Sequence, residues 1–326
     1  TLVYSDPAIT DPENTSMTIR QELADLYTRQ DALAPIAEAI LESQVTGILA
    51  DLELTFTGQP VPPVLFHISP LSYHLVISPR TQIQQDIAVS LLPDLAIDRQ
   101  SALEEAVSSD LDVSALVVPV GGIGSYPTMV MRSTSLTWLA DTIAHEWIHN
   151  WLAFKPLGAN YSTSPELRTM NETTASIAGT EIAHQLIQHH YPELADYFTD
   201  PKVHSSVAPI PPGGWPRPPF DFRAEMHTTR VQVDQLLLQG KVDEAETYME
   251  TRRQVFWDNG YLIRKLNQAY FAFYGAYADT PGGAAGEDPV GPAVRLLREQ
   301  STSLAEFLKR IAAMSTYADL QKAVSP

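Results

Sequence analysis

Apolar residues in the first fifty positions recur every three or four places: Ile19, Leu23, Leu26 and Tyr27, then Leu33, Ile36, Ile40, Leu41, Val45 and Ile48. That spacing predicts helices over 18–49, with Pro35 near the first turn of a second helix that Asp31 caps. Ahead of them, residues 1–15 are rich in Asp, Pro and Thr and predict an extended arm. From about 52 to 131 the period drops to that of strands. Leu52 to Thr57, Val64 to Ser69, Tyr73 to Ser78, Ala115 to Val120 and Ser125 to Arg132 carry Val, Ile, Tyr and Phe between Pro, Gly and Ser punctuation, with helical stretches around 81–91 and 101–108. A small mixed sheet follows from this pattern.

The helical period returns over 135–153, where Leu136, Leu139, Ile143, Trp147 and Ile148 supply the apolar positions and Ser133, Thr134 and Ser135 offer capping oxygens. A second helix is expected from Asn171 to about His190. The Pro- and Gly-rich stretch 205–221 contains Trp215 and predicts a long irregular loop, a lid or a subsite wall. Beyond it, 222–239, 242–260, 261–278, 304–314 and 317–323 all read as helices. The fold class expected is therefore α+β: a 1–15 arm, a 16–204 lobe holding a small mixed sheet, the 205–221 loop and a mainly helical 222–326 lobe.

Within the 135–153 helix lies His145-Glu146-Trp147-Ile148-His149, an H-E-x-x-H motif. Residues four apart share one helix face, so both imidazoles can reach one metal ion. Glu146, one place from the first ligand, can take a proton from water at that metal. Zn²⁺ is the expected ion, because it lowers the pKa of such a water from ~15.7 toward ~7. The bland alternative is a core helix with two hydrogen-bonded histidines. His67, His74, His184, His189, His190 and His204 have no spacing that builds a full ligand set, and read as buried, edge or surface residues.

A catalytic zinc keeps three protein ligands and one open position. Three downstream carboxylates compete for the third place: Glu166 in a Pro- and Ser-containing loop, and Glu172 and Glu181 on the helical run. A rigid element favours the run, and the chain between His149 and Glu172 is long enough for one reversal of direction.

Asn171-Glu172-x-x-Ala175 resembles the N-E-x-x-A element of gluzincin metallopeptidases, the thermolysin-like and aminopeptidase-N-like superfamily. The resemblance implies that His145, His149 and Glu172 are the zinc ligands, Glu146 the general base, and a Tyr or His of the helical C-terminal part the donor to the oxyanion. Tyr270, Tyr274 and Tyr277 share one face of the 261–278 helix. Tyr274 and Tyr270 are the preferred candidates, ahead of Tyr277 and Tyr261, with His227 as the fallback. The tail around Leu304 to Leu308 also resembles, distantly, a family of bacterial zinc aminopeptidases. Two departures stand out. Ser176 occupies the place where the thermolysin-type pattern often has an acidic residue, and Gly121 to Val130 lacks the acidic residue of the aminopeptidase G-x-M-E-N strand, so that Glu225 or Glu181 would have to serve there. The metzincin pattern is excluded by Leu152 and Lys155.

Gly122 to Val130, Gly- and Pro-rich and leading into the H-E-x-x-H helix, is expected to be an exposed edge strand that holds an extended peptide or protein substrate by main-chain hydrogen bonds. The formal charge of −18, from 21 Lys and Arg against 39 Asp and Glu, argues against nucleic acid as a partner. With no cysteine, disulfides and thiolate ligands are excluded. The chain starts at Thr1 and shows no obvious transmembrane segment, which reads as a processed soluble part of an extracytoplasmic or membrane-anchored protein. The function expected is a zinc-dependent peptidase, aminopeptidase or endopeptidase. The competing expectation is a catalytically degenerate zinc protein that binds a peptide or partner.

Overall fold

The computed structural model describes residues 9–93, 95–195, 220–278 and 283–325. The order is α1 (Pro12–Asp51), β1 (Phe66–Ser69), β2 (Tyr73–Pro79), β3 (Ile87–Ser90), α2 (Ile97–Leu111), β4 (Val113–Pro119), β5 (Gly122–Ile123), β6 (Thr128–Met131), α3 (Leu136–Leu152), α4 (Pro156–Ala159), α5 (Pro165–His190), α6 (Phe222–Leu238), α7 (Val242–Asp258), α8 (Gln268–Tyr274), α9 (Val290–Glu299), α10 (Leu304–Ala312) and α11 (Tyr317–Val324). This is an α+β fold with a helical C-terminal region. The strands form two sheets of three, β1-β6-β5 and β3-β2-β4.

The larger core gathers one face of α1 (Leu41, Val45, Ile48, Leu49), α3, α5 and α9 to α11. β4 alternates between two cores: Leu116 and Val118 meet Ala269 and Phe273 of α8, while Ala115 and Val117 face Leu103 and Val107 of α2. The 222–278 helices pack separately around Val233, Met249, Phe256 and Phe271. The final three helices close over α3 and α5 rather than joining a lobe with α6 to α8.

Several expectations are corrected. α1 runs unbroken through Pro35, and Asp31 accepts a hydrogen bond from Arg132 Nη2 at 2.6 Å instead of capping a second helix. Asp31 and Pro35 are exposed, so water can take the carbonyl that Pro35 leaves without a donor. The arm ends early, since helix begins at Pro12. Residues 52–57 form a turn with a single bridge, Phe56 to Gln59. The segment 81–91 contains β3, not a helix: Ile87 and Val89 pair with Ile77 and Leu75 of β2, and β-branched residues suit that edge. The 261–278 helix shrinks to α8, and α9 was not anticipated. Thr128–Met131 is the centre of its sheet, parallel to β1, leaving short β5 as the edge. By length and composition alone α1 could cross a membrane, a test that the core helix of a soluble protein also passes. Most of the 205–221 loop, with Trp215, and His204 lie outside the described residues.

Candidate metal centre

α3 begins where Ser135 Oγ accepts from the Trp138 amide, and α5 where Ser164 Oγ accepts from the Leu167 amide ahead of which Pro165 fits the first turn. α3 is anchored at its far end as well. Asn150 donates to Ser125 O at 3.2 Å and to Thr128 Oγ1 at 2.9 Å, and Trp147 Nε1 donates to Pro62 O at 2.9 Å. α5 then lies tight against α3 because Gly179 has no side chain: a Cβ there would sit 2.9 Å from the His145 backbone nitrogen. Thr180 Oγ1 donates to Asp141 at 2.8 Å across the same contact.

This packing brings His145, His149 and Glu172 together, with one ligand atom of each within 4.8 Å of the others, so the three can hold a metal ion. The two Nε2 atoms are 3.0 Å apart, and Glu172 Oε2 lies 3.5 Å from that of His145 and 3.4 Å from that of His149. A tetrahedral ion with bonds of about 2.0–2.1 Å has ligand-to-ligand edges of about 3.3–3.4 Å, which these distances bracket. Glu172 Oε2 is buried without a hydrogen-bond partner. A buried carboxylate oxygen without a hydrogen bond is costly, and a positive charge beside it, a protonated His149 or a metal ion between it and the imidazoles, removes that cost.

The remaining ligand atoms are held by neighbours. His149 Nδ1 is 2.8 Å from Asn171 Oδ1, which favours the tautomer that leaves Nε2 free to coordinate. Tyr161 donates its hydroxyl proton to Glu172 Oε1, leaving Oε2 to face the histidines. Burial would lower the His149 pKa, but the Glu172 carboxylate beside it prevails and carries it up to about 9. Glu172 is likewise held well below the usual carboxylate range, because the two histidines overcome its burial. Glu146 shifts the other way: burial raises its pKa, against the pull of His149 and His145.

The three residues border a cleft of ≈ 1400 Å³. Glu146 packs against the β5 edge so closely that a Cβ on Gly122 would overlap its carboxylate. Tyr277, just past α8, places its ring 6.1 Å from that of His145. Its exposed surface is open to the cleft, yet protein crowds the phenol, and this desolvation together with Glu172 holds its pKa well above the ordinary value. Arg168, one turn before Glu172 on α5, donates to Ala272 O at 2.9 Å and so ties α5 to α8.

No protein-family model, curated protein or solved structure matches this chain.

Of the tyrosines singled out from sequence, Tyr270 and Tyr274 pack against each other with tilted rings 4.6 Å apart. Tyr274 borders the cleft near Arg264, and Tyr270 turns into the packing beneath it. Tyr277 is the one beside His145, because the helix stops at Tyr274 and the chain turns. Tyr261 packs on Phe222 at 4.7 Å, and His227 Nε2 meets Glu287 at 3.3 Å. Glu166 is exposed at the rim of the cleft, Glu181 is held by Arg298 at 2.7 Å, and Glu225 by Arg252. Tyr161 and Arg168 join the site without belonging to any motif in the sequence. The i, i+4 relation of Arg168 to Glu172 was the available signal for one; for Tyr161, in a loop, there was none.

Proposed function

We propose that the chain is a zinc-dependent peptidase of the gluzincin type, with Glu146 as general base. The observation that carries this reading is the pairing of a three-member donor set with a buried carboxylate one residue from the first ligand. Three ligands leave a fourth position for chemistry, whereas a purely structural zinc is closed by a fourth protein ligand. A zinc ion bound there would supply Lewis-acid chemistry, polarising a carbonyl and acidifying water.

The residues then divide the remaining work. Glu146 accepts the proton of the attacking water and passes it to the leaving amine nitrogen; its raised pKa suits both transfers. The Tyr277 hydroxyl, kept protonated, donates to the oxyanion developing on the scissile carbonyl. Tyr161 and Asn171 orient Glu172 and His149. The β5 edge beside Glu146 offers main-chain groups to an extended peptide. Glu181 and Glu225, which could have held a free α-ammonium, are both engaged by arginines elsewhere. With these two engaged, cleavage without a free N-terminus is the reading put to the test, and Glu166 at the cleft rim is the carboxylate an aminopeptidase would use instead.

Zinc-loaded protein incubated with matched free and N-acetylated peptide libraries tests the reading: both sets should be cut. Glu146→Gln should keep its zinc and lose about 10²- to 10⁴-fold in turnover. Tyr277→Phe should lower kcat by about 10²- to 10³-fold with KM little changed, while Tyr270→Phe should leave both nearly unchanged. No cleavage by the zinc-loaded protein would turn the site toward peptide or partner binding instead.

A further inference from the structure

In the amino-terminal half of α1, Asp31 and Tyr27 meet Arg132, but among the described residues its apolar side chains join no core cluster. From Met17 to Ile40 the helix exposes Met17, Ile19, Leu23, Leu26, Tyr27, Leu33, Ile36 and Ile40, with Leu26 at 58% and Leu33 at 60% exposure. Among the described residues the helix joins the core only through its last turns, from Leu41 onward. Glu38 Oε1 accepts from the Ile68 amide at 2.7 Å and Glu42 Oε1 from the Phe66 amide at 3.0 Å, which fastens that end to β1. A helix of this length gains little from propensity alone in water, and an exposed apolar face calls for burial.

The face has a definite period. Ile19, Leu23, Leu26, Gln30, Leu33, Ala37 and Ile40 follow one another at intervals of four, three, four, three, four and three. That is the heptad stripe of a coiled coil, with one polar position in it. The stripe is narrow: Arg20, Glu22, Asp25, Arg29 and Asp31 surround it. A membrane-spanning helix would need a continuous apolar run of about 20 residues. The least charged part of α1 is the end that is fastened to β1 and the core. The observations thus favour a helix partner over a lipid one.

We infer that α1 pairs with α1 of a second copy of this chain, antiparallel, through the Ile19–Gln30 portion of the stripe. Charge selects the orientation. With Leu23 of one copy level with Leu26 of the other, Glu22 of each falls beside Arg29 of the partner, giving two symmetric opposite-charge pairs. A parallel pairing sets Glu22 beside Tyr27 and Arg29 beside Ala34, with no such match. It would also bring together the two ends that carry the folded bodies. This arrangement is independent of what the metal centre does.

Sedimentation velocity of the whole chain over about 1 to 100 µM, spanning weak to moderate self-association, provides the test. Twice the 36.0 kDa chain mass is expected, falling to a monomer in Leu23→Glu/Leu26→Glu with the circular dichroism and metal content unchanged. Glu22→Arg or Arg29→Glu alone should weaken the dimer about fivefold, and the double reversal should restore it. A wild-type monomer throughout, a dimer untouched by the Leu substitutions, or single reversals without effect would each overturn the proposal. Flotation of the monomer with phosphatidylcholine vesicles would assign the stripe to a lipid surface and overturn it as well.

Discussion

His149 meets three demands at once: its Nδ1 faces Asn171, its Nε2 faces His145, and Glu172 lies 3.4 Å away. In the metal-free chain this setting favours the imidazolium, with a pKa of about 9 instead of 6.5. A metal must displace that proton. Metal affinity should therefore rise about tenfold per pH unit through neutrality and flatten above about pH 9, with release of about one proton per ion near pH 7. Isothermal titration in buffers of different ionisation enthalpy measures that proton. The linkage for folding runs in the opposite sense. A folded-state pKa above the unfolded one stabilises the metal-free chain below about pH 6.5, and the contribution is lost as pH rises through about 9. Asn171 and Glu172 stand adjacent in the sequence, so their joint role was open to reading there. The part played by Tyr161 depends on a loop conformation that no periodicity encodes.

Two glycines set the spacing between elements at the centre. Gly122 lets β5 press on Glu146, and Gly179 lets α5 press on α3. If the proposed peptidase reading holds, Gly122→Ala should keep the metal and lower turnover by about 10²-fold, since a misplacement of about 1 Å is enough for that loss. Gly179→Ala should weaken metal binding itself, because the added carbon meets His145 backbone rather than a yielding side chain. Gly47→Ala is the control, with nothing within 4 Å of the new carbon. Metal analysis beside the peptide assay separates the three. α8 shows how an element's end decides a residue's role. Asn267 caps it and donates to Ala115 O at 3.0 Å, fixing the helix on β4. Its early stop after Tyr274 then carries Tyr277 to His145. A longer helix, as the apolar pattern suggested, would have kept the three tyrosines on one face.

For the molecule as a whole, the two helices of the candidate metal centre share a core with the last three helices of the chain. Phe307 of α10 is fully buried among them, as are Leu297 of α9 and Leu320 of α11. Phe307→Ala should cost about 3–5 kcal/mol. Because α3 and α5 belong to the same core, metal binding and folding should be lost together on heating. Calorimetry with a parallel metal-release measurement checks this, and survival of the metal centre after a separate first transition would contradict it. The Glu181–Arg298 pair joins α5 to α9 at 2.7 Å but is partly exposed, so breaking it should cost no more than about 1 kcal/mol.

The sequence by itself determined what depends on neighbours along the chain. His145 and His149 share a helix face because they are four apart, α5 carries Glu172 because its run is uninterrupted, and β2 and β4 follow from short apolar runs bounded by Pro and Gly. Only the tertiary structure decided what depends on residues far apart in sequence. It brought Glu172 within 3.5 Å of both imidazoles, and split the strands into two sheets. It also turned 87–90 into a strand by giving it β2 as a partner, and sent the last three helices to the metal core. Local pattern records the period of an element and the chemistry of its side chains. Which face meets which depends on burying those faces together, a condition satisfied by the whole chain at once.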